Sequence, residues 1–191
     1  MYNTGLADFL SSRIEVNDTE IQDFLKMFVS RSVRKKQLIV QPGFTASKRF
    51  YIVDGALRSF VINESGQEIT IALAVKDWWI TDYNSYIYQQ PATLFVEALS
   101  HSVIMELSFD DEKYLKQLNP KYESFFRIIA ERGLAAQQRR MIALHTQTAV
   151  QRYENFARQY PQFIQEIPQY IIASFLGMST EFLSKIRNNK L

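Results

Sequence analysis

The 191-residue sequence contains no cysteine. Disulfides, iron–sulfur clusters and thiolate zinc sites are therefore excluded, and the composition fits a reducing compartment such as the cytoplasm. Histidine is nearly absent too. His101 and His145 are far apart in the chain, so the clustered imidazoles of a cupin-type metal enzyme are missing, and a haem would have one of the two at most to lean on. No run of 18 apolar residues occurs, which leaves no candidate membrane-spanning helix. The opening MYNTGLADFLSSRIEVND lacks the basic-then-apolar order of a signal peptide. No nucleophile elbow, P-loop or dinucleotide glycine fingerprint is present. Neither enzymatic chemistry nor a resident cofactor or metal is expected.

What is present is apolar and aromatic. Hydrophobic residues make up 47% of the chain, including 14 Phe and 10 Tyr, against 22% charged residues. That balance supports folded cores. The net charge of +2 hides an asymmetry: residues 121–191 hold ten basic and five acidic side chains, leaving 12 basic and 15 acidic in residues 1–120. A basic C-terminal segment on a mildly acidic body points toward a polyanionic partner, although ordinary charge scatter gives the same numbers.

Apolar periodicity divides the chain. Residues 6–30 read as helical, with Leu6, Phe9, Leu10, Ile21, Phe24, Leu25 and Phe28 at three-to-four spacing and Asn17 or Asp18 as a cap. From about residue 33 the period becomes two. Strand-like runs cover 37–41, 49–54, 56–62, 68–74, 94–98 and 102–108, separated by Pro42-Gly43, Asp54-Gly55 and Asn63-Glu64-Ser65-Gly66. Many short antiparallel strands with glycine turns predict a small barrel or jelly roll. The stretch WWITDYNSYIYQQ, 78–90, reads as a loop or short helix inserted among them.

After Asp110 the helical period returns, with a short helix to Leu118, a long one over 121–145 and a third over 150–160. Along the long helix, Tyr122, Phe126, Ile129, Gly133, Ala136 and Leu144 recur at steps of four and three, with Arg140 in the same row. This approximates a coiled-coil seam, and the small Gly133 and Ala136 would admit a close partner. Phe125, Ile128, Leu134, Met141 and Ile142 occupy other faces. One face is expected on the body and the seam on a second copy of the chain; a helix packed wholly on its own barrel is the alternative.

The stretch ASFLGMSTEFLSKIR, 173–187, has the packing skeleton of a helix-turn-helix. Pro168 suits a helix start. Ala173 is small enough for a close crossing, Gly177 permits the positive φ that ends the first helix, and Ser179 can cap the second. Leu183 and Ile186 face back onto the first helix. The opposite face carries Thr180, Glu181, Ser184, Lys185 and Arg187. In a DNA reader this face enters the major groove, with Glu181 accepting from cytosine and Lys185 donating to guanine; Arg187, Asn188, Asn189 and Lys190 would touch phosphates. A structural helical hairpin with a solvated face has the same spacing.

Three stretches together resemble the Crp/Fnr family of bacterial transcription regulators: YIVDGALRSFVINESGQEITIALAVKDWWITD (51–82), AAQQRRMIALHTQTAVQRYENF (135–156) and ASFLGMSTEFLSKIR itself. The run QRYENFARQYPQFIQEIPQYIIASFLGMSTEFLSKIR is similar to the short branch of the family common in Bacteroidetes, with its ERY…P…IASYLG…LSRIR pattern. The resemblance implies an α+β architecture. A β-roll of the cyclic-nucleotide-binding type (double-stranded β-helix or jelly roll) spans 1–120, a dimerisation helix 121–146 and a helix-turn-helix domain 147–191. It implies a homodimer, with Phe126, Ile129, Gly133 and Ala136 at the interface. The partners it implies are double-stranded DNA, contacted by Ser179, Thr180, Glu181, Ser184, Lys185 and Arg187, and RNA polymerase. The chain reaches only Leu191, where longer members continue into a wing hairpin, so a small DNA domain is expected.

The sequence departs from the family at two places. Lys185 stands where the recognition helix usually has arginine; it keeps the charge but loses the bidentate fork. In the effector cassette, WITDYNSYIYQQPATLFVEA puts Thr81-Asp82 on the usual Gly-Glu and Ala92-Thr93 on the usual Arg-Thr. Asp82 retains a hydroxyl-binding carboxylate and Thr93 a phosphate-binding hydroxyl, but no cation meets a buried phosphate. Binding of cyclic AMP in the usual mode is expected to be weak or absent. A different small-molecule effector could use Trp78, Trp79, Tyr83 and Tyr86 as an aromatic lining, unless these rings are simply barrel core. A ligand-binding or protein-interaction module with a vestigial DNA segment is the alternative functional reading.

Overall fold

A computed structural model describes residues 4–188, so Asn189 and Lys190, two of the expected phosphate contacts, lie outside the described residues. Two short helices open the chain, α1 (Thr4–Ser11) and α2 (Asp18–Lys26). The Asn17 side chain accepts from the Glu20 N–H while Glu20 accepts from the Asn17 N–H, so a reciprocal capping box starts α2. Eight strands follow: β1 (Val29–Val33), β2 (Leu38–Val40), β3 (Lys48–Asp54), β4 (Ala56–Ile62), β5 (Glu68–Val75), β6 (Trp79–Ile80), β7 (Phe95–Ala98) and β8 (Ser102–Ser108). They form two antiparallel four-stranded sheets, ordered β1-β8-β3-β6 and β2-β7-β4-β5. That is the jelly roll the alternation predicts.

The space between the sheets is filled by inward-facing residues such as Val33, Val40, Phe50, Ile52, Leu57, Ala74, Ile80, Val96 and Ile104. The opposite face of β3 is also buried. Tyr51 packs with Leu6, Leu10, Phe24, Phe125 and Phe126, beneath α1, α2 and the later helices. A strand covered on both faces loses the polar half of its alternation, which is why β3 reads RFYIV. Between β3 and β4, Gly55 adopts φ +89°, and a Cβ there would sit 2.2 Å from the Ser102 hydroxyl. Only glycine fits this turn.

One element differs from the sequence expectation, and two further segments take definite form. Strand β1 begins at Val29, inside the stretch read as helical; it is a sheet edge with four of its five residues exposed, so it carries little apolar pattern. The segment 78–90 resolves into β6 and a helix α3 (Tyr83–Tyr88), whose first turn is capped by Asp82. The preceding helix ends at Gln159, before Pro161 as expected, and a further helix α7 (Pro161–Glu166) starts there with Pro161 at its first position. The remaining helices are α4 (Phe109–Leu118), α5 (Pro120–Thr146), α6 (Ala149–Gln159), α8 (Gln169–Leu176) and α9 (Thr180–Arg187).

Three of the four aromatic residues expected to line a ligand pocket enclose a side chain of the protein itself. The buried guanidinium of Arg49, on β3, lies 5.0–5.7 Å from the ring centroids of Trp79, Tyr83, Tyr86 and Phe126, within cation–π range. Glu112 of α4 sits 2.9 Å from its Nε, and the Tyr86 hydroxyl donates to the same carboxylate at 2.7 Å. Burial, with the Glu112 charge, pushes the Tyr86 phenol well above its ordinary range. Trp79 belongs to the aromatic cluster with Phe28, Tyr51, Phe125 and Phe126.

The seam expected on α5 divides between two surroundings. Phe126 is buried against the chain's own body, and Ile129 packs beside it. Ala136 is half-buried, and Gly133 is exposed. The outward apolar residues are Leu134, Met141 and Ile142, at 71, 61 and 54% exposure. The first three turns of α5 are drawn into the aromatic cluster, which fixes the helix's rotation and leaves Leu134, Met141 and Ile142 facing outward.

Candidate nucleic-acid interface

Helices α6 to α9 share a core of Phe156, Phe163, Ile167, Ile171, Ile172, Ala173, Leu176 and Leu183. Helix α6 has a capping box of Thr148 and Gln151. Helix α8 ends at Gly177, φ +67°, where the Met178 N–H reaches back to the Ala173 carbonyl at 3.0 Å. This is the left-handed C-terminal motif that glycine favours. A Cβ at Gly177 would also lie 3.1 Å from Leu144 Cδ2, so α5 passes close to the turn. The Ser179 hydroxyl accepts from the Phe182 N–H at 3.1 Å and starts α9. Leu183 and Ile186 are buried against α8.

With those two residues turned inward, the opposite face of α9 is set by helical geometry. Ser179, Thr180, Glu181, Lys185 and Arg187 are exposed and Ser184 is half-exposed. Asn188 donates back to the Ser184 carbonyl at 2.9 Å and closes the helix. The Glu181 carboxyl is held below its ordinary value by its own backbone N–H and by the Ser179 hydroxyl. It is therefore a firm acceptor at the positive end of the helix, while Lys185 and Arg187 lie toward the other end. Chemically this face offers two cations, one carboxylate and three hydroxyls on a rigid rod.

Two arginines that the sequence reading leaves without a role hold this unit. Arg152, on α6, donates from Nε to the Leu176 carbonyl at 2.8 Å, and its other nitrogens reach the carbonyls of Gln147 at 2.7 Å and Gly177 at 3.3 Å. Arg140, on α5, donates to the Phe175 carbonyl at 2.8 Å and stacks over the Phe175 ring at 4.4 Å. Both cations meet the unpaired carbonyls at the end of α8. A sequence signal existed: neither arginine has an acidic residue three or four positions away, so neither serves a surface pair on its own helix. Helix α8 also docks on the exposed edge of the roll. The Ser174 hydroxyl accepts from the Thr70 N–H of β5 at 2.9 Å and donates to the Glu68 carbonyl at 3.1 Å.

The expected effector residues lie elsewhere. Asp82 is buried, and its carboxylate accepts from the N–H groups of Ser85, Thr93 and Leu94 at 3.1, 2.8 and 3.2 Å. Thr93 and Asp82 are thus together, with Ala92 buried beside them and the Thr81 hydroxyl donating to the Lys48 carbonyl at 2.7 Å. Tyr83 and Trp79 face Arg49 instead. Among the described residues, no group of three His, Cys, Asp or Glu could hold a metal ion, and no helix is long and apolar enough to cross a membrane.

No protein-family model matches the sequence, and no curated protein matches it. Solved structures do. FixK2 from Bradyrhizobium japonicum superposes with a TM-score of 0.75 at 16% identity, over 85% of this chain and 83% of that one. The c-di-GMP responsive global regulator CLP of Xanthomonas campestris gives 0.68 at 16% identity, over 91% of each chain. A CooA mutant from Carboxydothermus hydrogenoformans gives 0.68 at 17% identity, over 93% and 85%. These neighbours are Crp/Fnr regulators rather than enzymes, and the chain has their fold, a cyclic-nucleotide-binding-type β-roll joined through a long helix to a helical domain.

Proposed function

We propose that this chain is a homodimeric, sequence-specific DNA-binding transcription regulator of the Crp/Fnr type. The observation that carries the reading is the division of α9: Leu183 and Ile186 lock it to α8, while Thr180, Glu181, Ser184, Lys185 and Arg187 stand toward solvent. Such a face suits the major groove, with Lys185 and Glu181 reading base edges and Arg187 meeting phosphate. Two copies pair through the outward face of α5, where Leu134, Met141 and Ile142 leave apolar surface uncovered. The pair presents two recognition helices to successive major grooves, about 34 Å apart, on an inverted-repeat site.

The roll does not take cyclic AMP in the family's usual way. Asp82, the residue left to hold a ribose hydroxyl, already accepts three backbone N–H groups, and Ala92 offers no charge to a phosphate. The test is selection of the full chain against a randomised duplex library at several salt concentrations. An inverted repeat should be enriched, and the affinity should fall steeply and log-linearly with salt. Salt-sensitive binding with no sequence preference would overturn sequence-specific reading.

A further inference from the structure

A cavity of about 590 Å³ lies where the roll, the carboxyl half of α5 and helices α6 to α8 meet. Its volume falls in the range of small-molecule sites, about 300–1,000 Å³. One wall is a sheaf of rings: Trp78 lies edge-on to Tyr160 at 5.5 Å and to Phe163 at 5.9 Å, and Phe156 stacks on Phe163 at 5.6 Å. The charged groups around it have one sign. Arg139, Arg140, Arg152 and Arg158 line the cavity, and no aspartate or glutamate does among the described residues. None of the four forms an ion pair among those residues. Arg140 has a buried Nε without a hydrogen-bond partner, and its terminal nitrogen meets only carbonyls, Phe175 at 2.8 Å and Thr70 at 3.4 Å. Burial lowers its pKa, so the surroundings disfavour the charge they contain. A half-buried guanidinium fork with no counter-charge is matched by a carboxylate-type anion.

We propose that this cavity binds a small amphipathic anion, its apolar body among Trp78, Tyr160 and Phe163 and its carboxylate at Arg139 and Arg140. Neutral ligands leave the arginines uncompensated, and a polyanion has no room among the rings. The site is separate from the roll's Asp82 and Thr93. Its position gives it a regulatory use, a consequence that rests on the DNA-binding reading above. Arg140 holds the last turn of α8 through the Phe175 carbonyl, and an anion competing for that guanidinium loosens the contact. The ligand thereby shifts the pose of the helix-turn-helix against β5.

The site is tested on the full chain with 8-anilinonaphthalene-1-sulfonate, an aromatic monoanion, read by its fluorescence and by energy transfer from tryptophan. One dye per chain should bind saturably, and decanoate should displace it. The double variant Arg139→Gln/Arg140→Gln should bind the anionic dye at least tenfold more weakly, with the neutral N-phenyl-1-naphthylamine little affected. Ala136→Phe, which narrows the cavity and leaves every arginine in place, should abolish dye binding and decide the matter if the arginine variant does not fold. Full dye binding by a folded Ala136→Phe protein, an unchanged affinity in the folded arginine variant, or failure of decanoate to compete each overturns the site. Decanoate should change operator affinity of the native chain and not of Ala136→Phe. Dye binding without that change removes only the coupling, and dye binding in a chain that reads no DNA overturns the function proposed above while leaving the site.

Discussion

Arg152 Nε lies 2.8 Å from the carbonyl oxygen of Leu176, so a cation on α6 closes the carboxyl end of α8. The same guanidinium reaches Gln147 and Gly177. Replacement by methionine keeps much of the stem and leaves three carbonyls without this donor. Loss of about 2 kcal/mol is expected. Hydrogen exchange should localise the loss to α8 and α9, with the amides of β3 and β8 unchanged.

The two kinds of DNA contact proposed for α9 are separable. Lys185→Ala should cost about 1–3 kcal/mol on the preferred site and relax the preference at one base position. Arg187→Ala should weaken binding evenly across sequences and reduce the salt slope by about one. Fluorescence anisotropy on matched and mismatched duplexes distinguishes them. Both side chains are exposed, so the melting temperature should stay constant.

Self-association should depend on the outward face of α5. Met141→Asp or Leu134→Asp places a charge in the expected interface core, which such interfaces exclude. Sedimentation should show association weakened on the order of tenfold or more, toward monomer, with unchanged circular dichroism. Arg127→Ala, whose partner is Glu131 on the same exposed helix face, should have little effect.

Asp82 is a structural carboxylate. Asp82→Ala leaves the Ser85, Thr93 and Leu94 N–H groups without their acceptor. A loss of about 3 kcal/mol is expected, measured by denaturant titration. Cyclic AMP added to the native chain should leave its melting temperature unchanged.

Glu106 sets an acid limit on the roll. Burial raises its pKa, but hydrogen bonds from Lys48 and Arg31 outweigh that and hold the carboxyl below its ordinary 4.5. A depressed folded pKa contributes stability above the unfolded value, and that contribution is lost as pH falls through the folded one. Glu106→Gln should therefore lower the melting temperature at pH 7. The gap to the native chain should shrink as the pH drops below about 4.5.

The fold was legible wherever burial is one-sided or a turn demands a residue. Pro168, Ala173, Gly177 and Ser179 marked the helix-turn-helix because each meets a local requirement that few residue types satisfy. The β4–β5 hairpin was legible for the same reason: Gly66 takes φ +80° and the Asn63 side chain accepts from the Gln67 N–H. Edge strand β1 was not, because exposure on both faces erases alternation. The rotation of α5 was not either, since Phe125, Phe126, Leu134 and Met141 are equally apolar. Only the position of Phe24 and Tyr51 in space decides which pair is covered. Aromatic residues at 79–86 carried the right chemistry for enclosing a cation, but no one-dimensional pattern places Arg49, some thirty residues earlier, inside them.

Among the described residues, helix α5 is held toward both ends, with an exposed stretch between them. Its first turns are tied to the roll, with the Tyr122 hydroxyl donating to the Glu20 carbonyl and Phe125 and Phe126 in the aromatic cluster. Its last turns touch α8 and the turn after it through Arg140 and Leu144. Residues 130–134 face solvent in the single chain. Mechanically the helix is a beam on two supports with an unbraced span. Whatever clamps that span from outside, a second copy above all, sets how much of a displacement at one support arrives at the other.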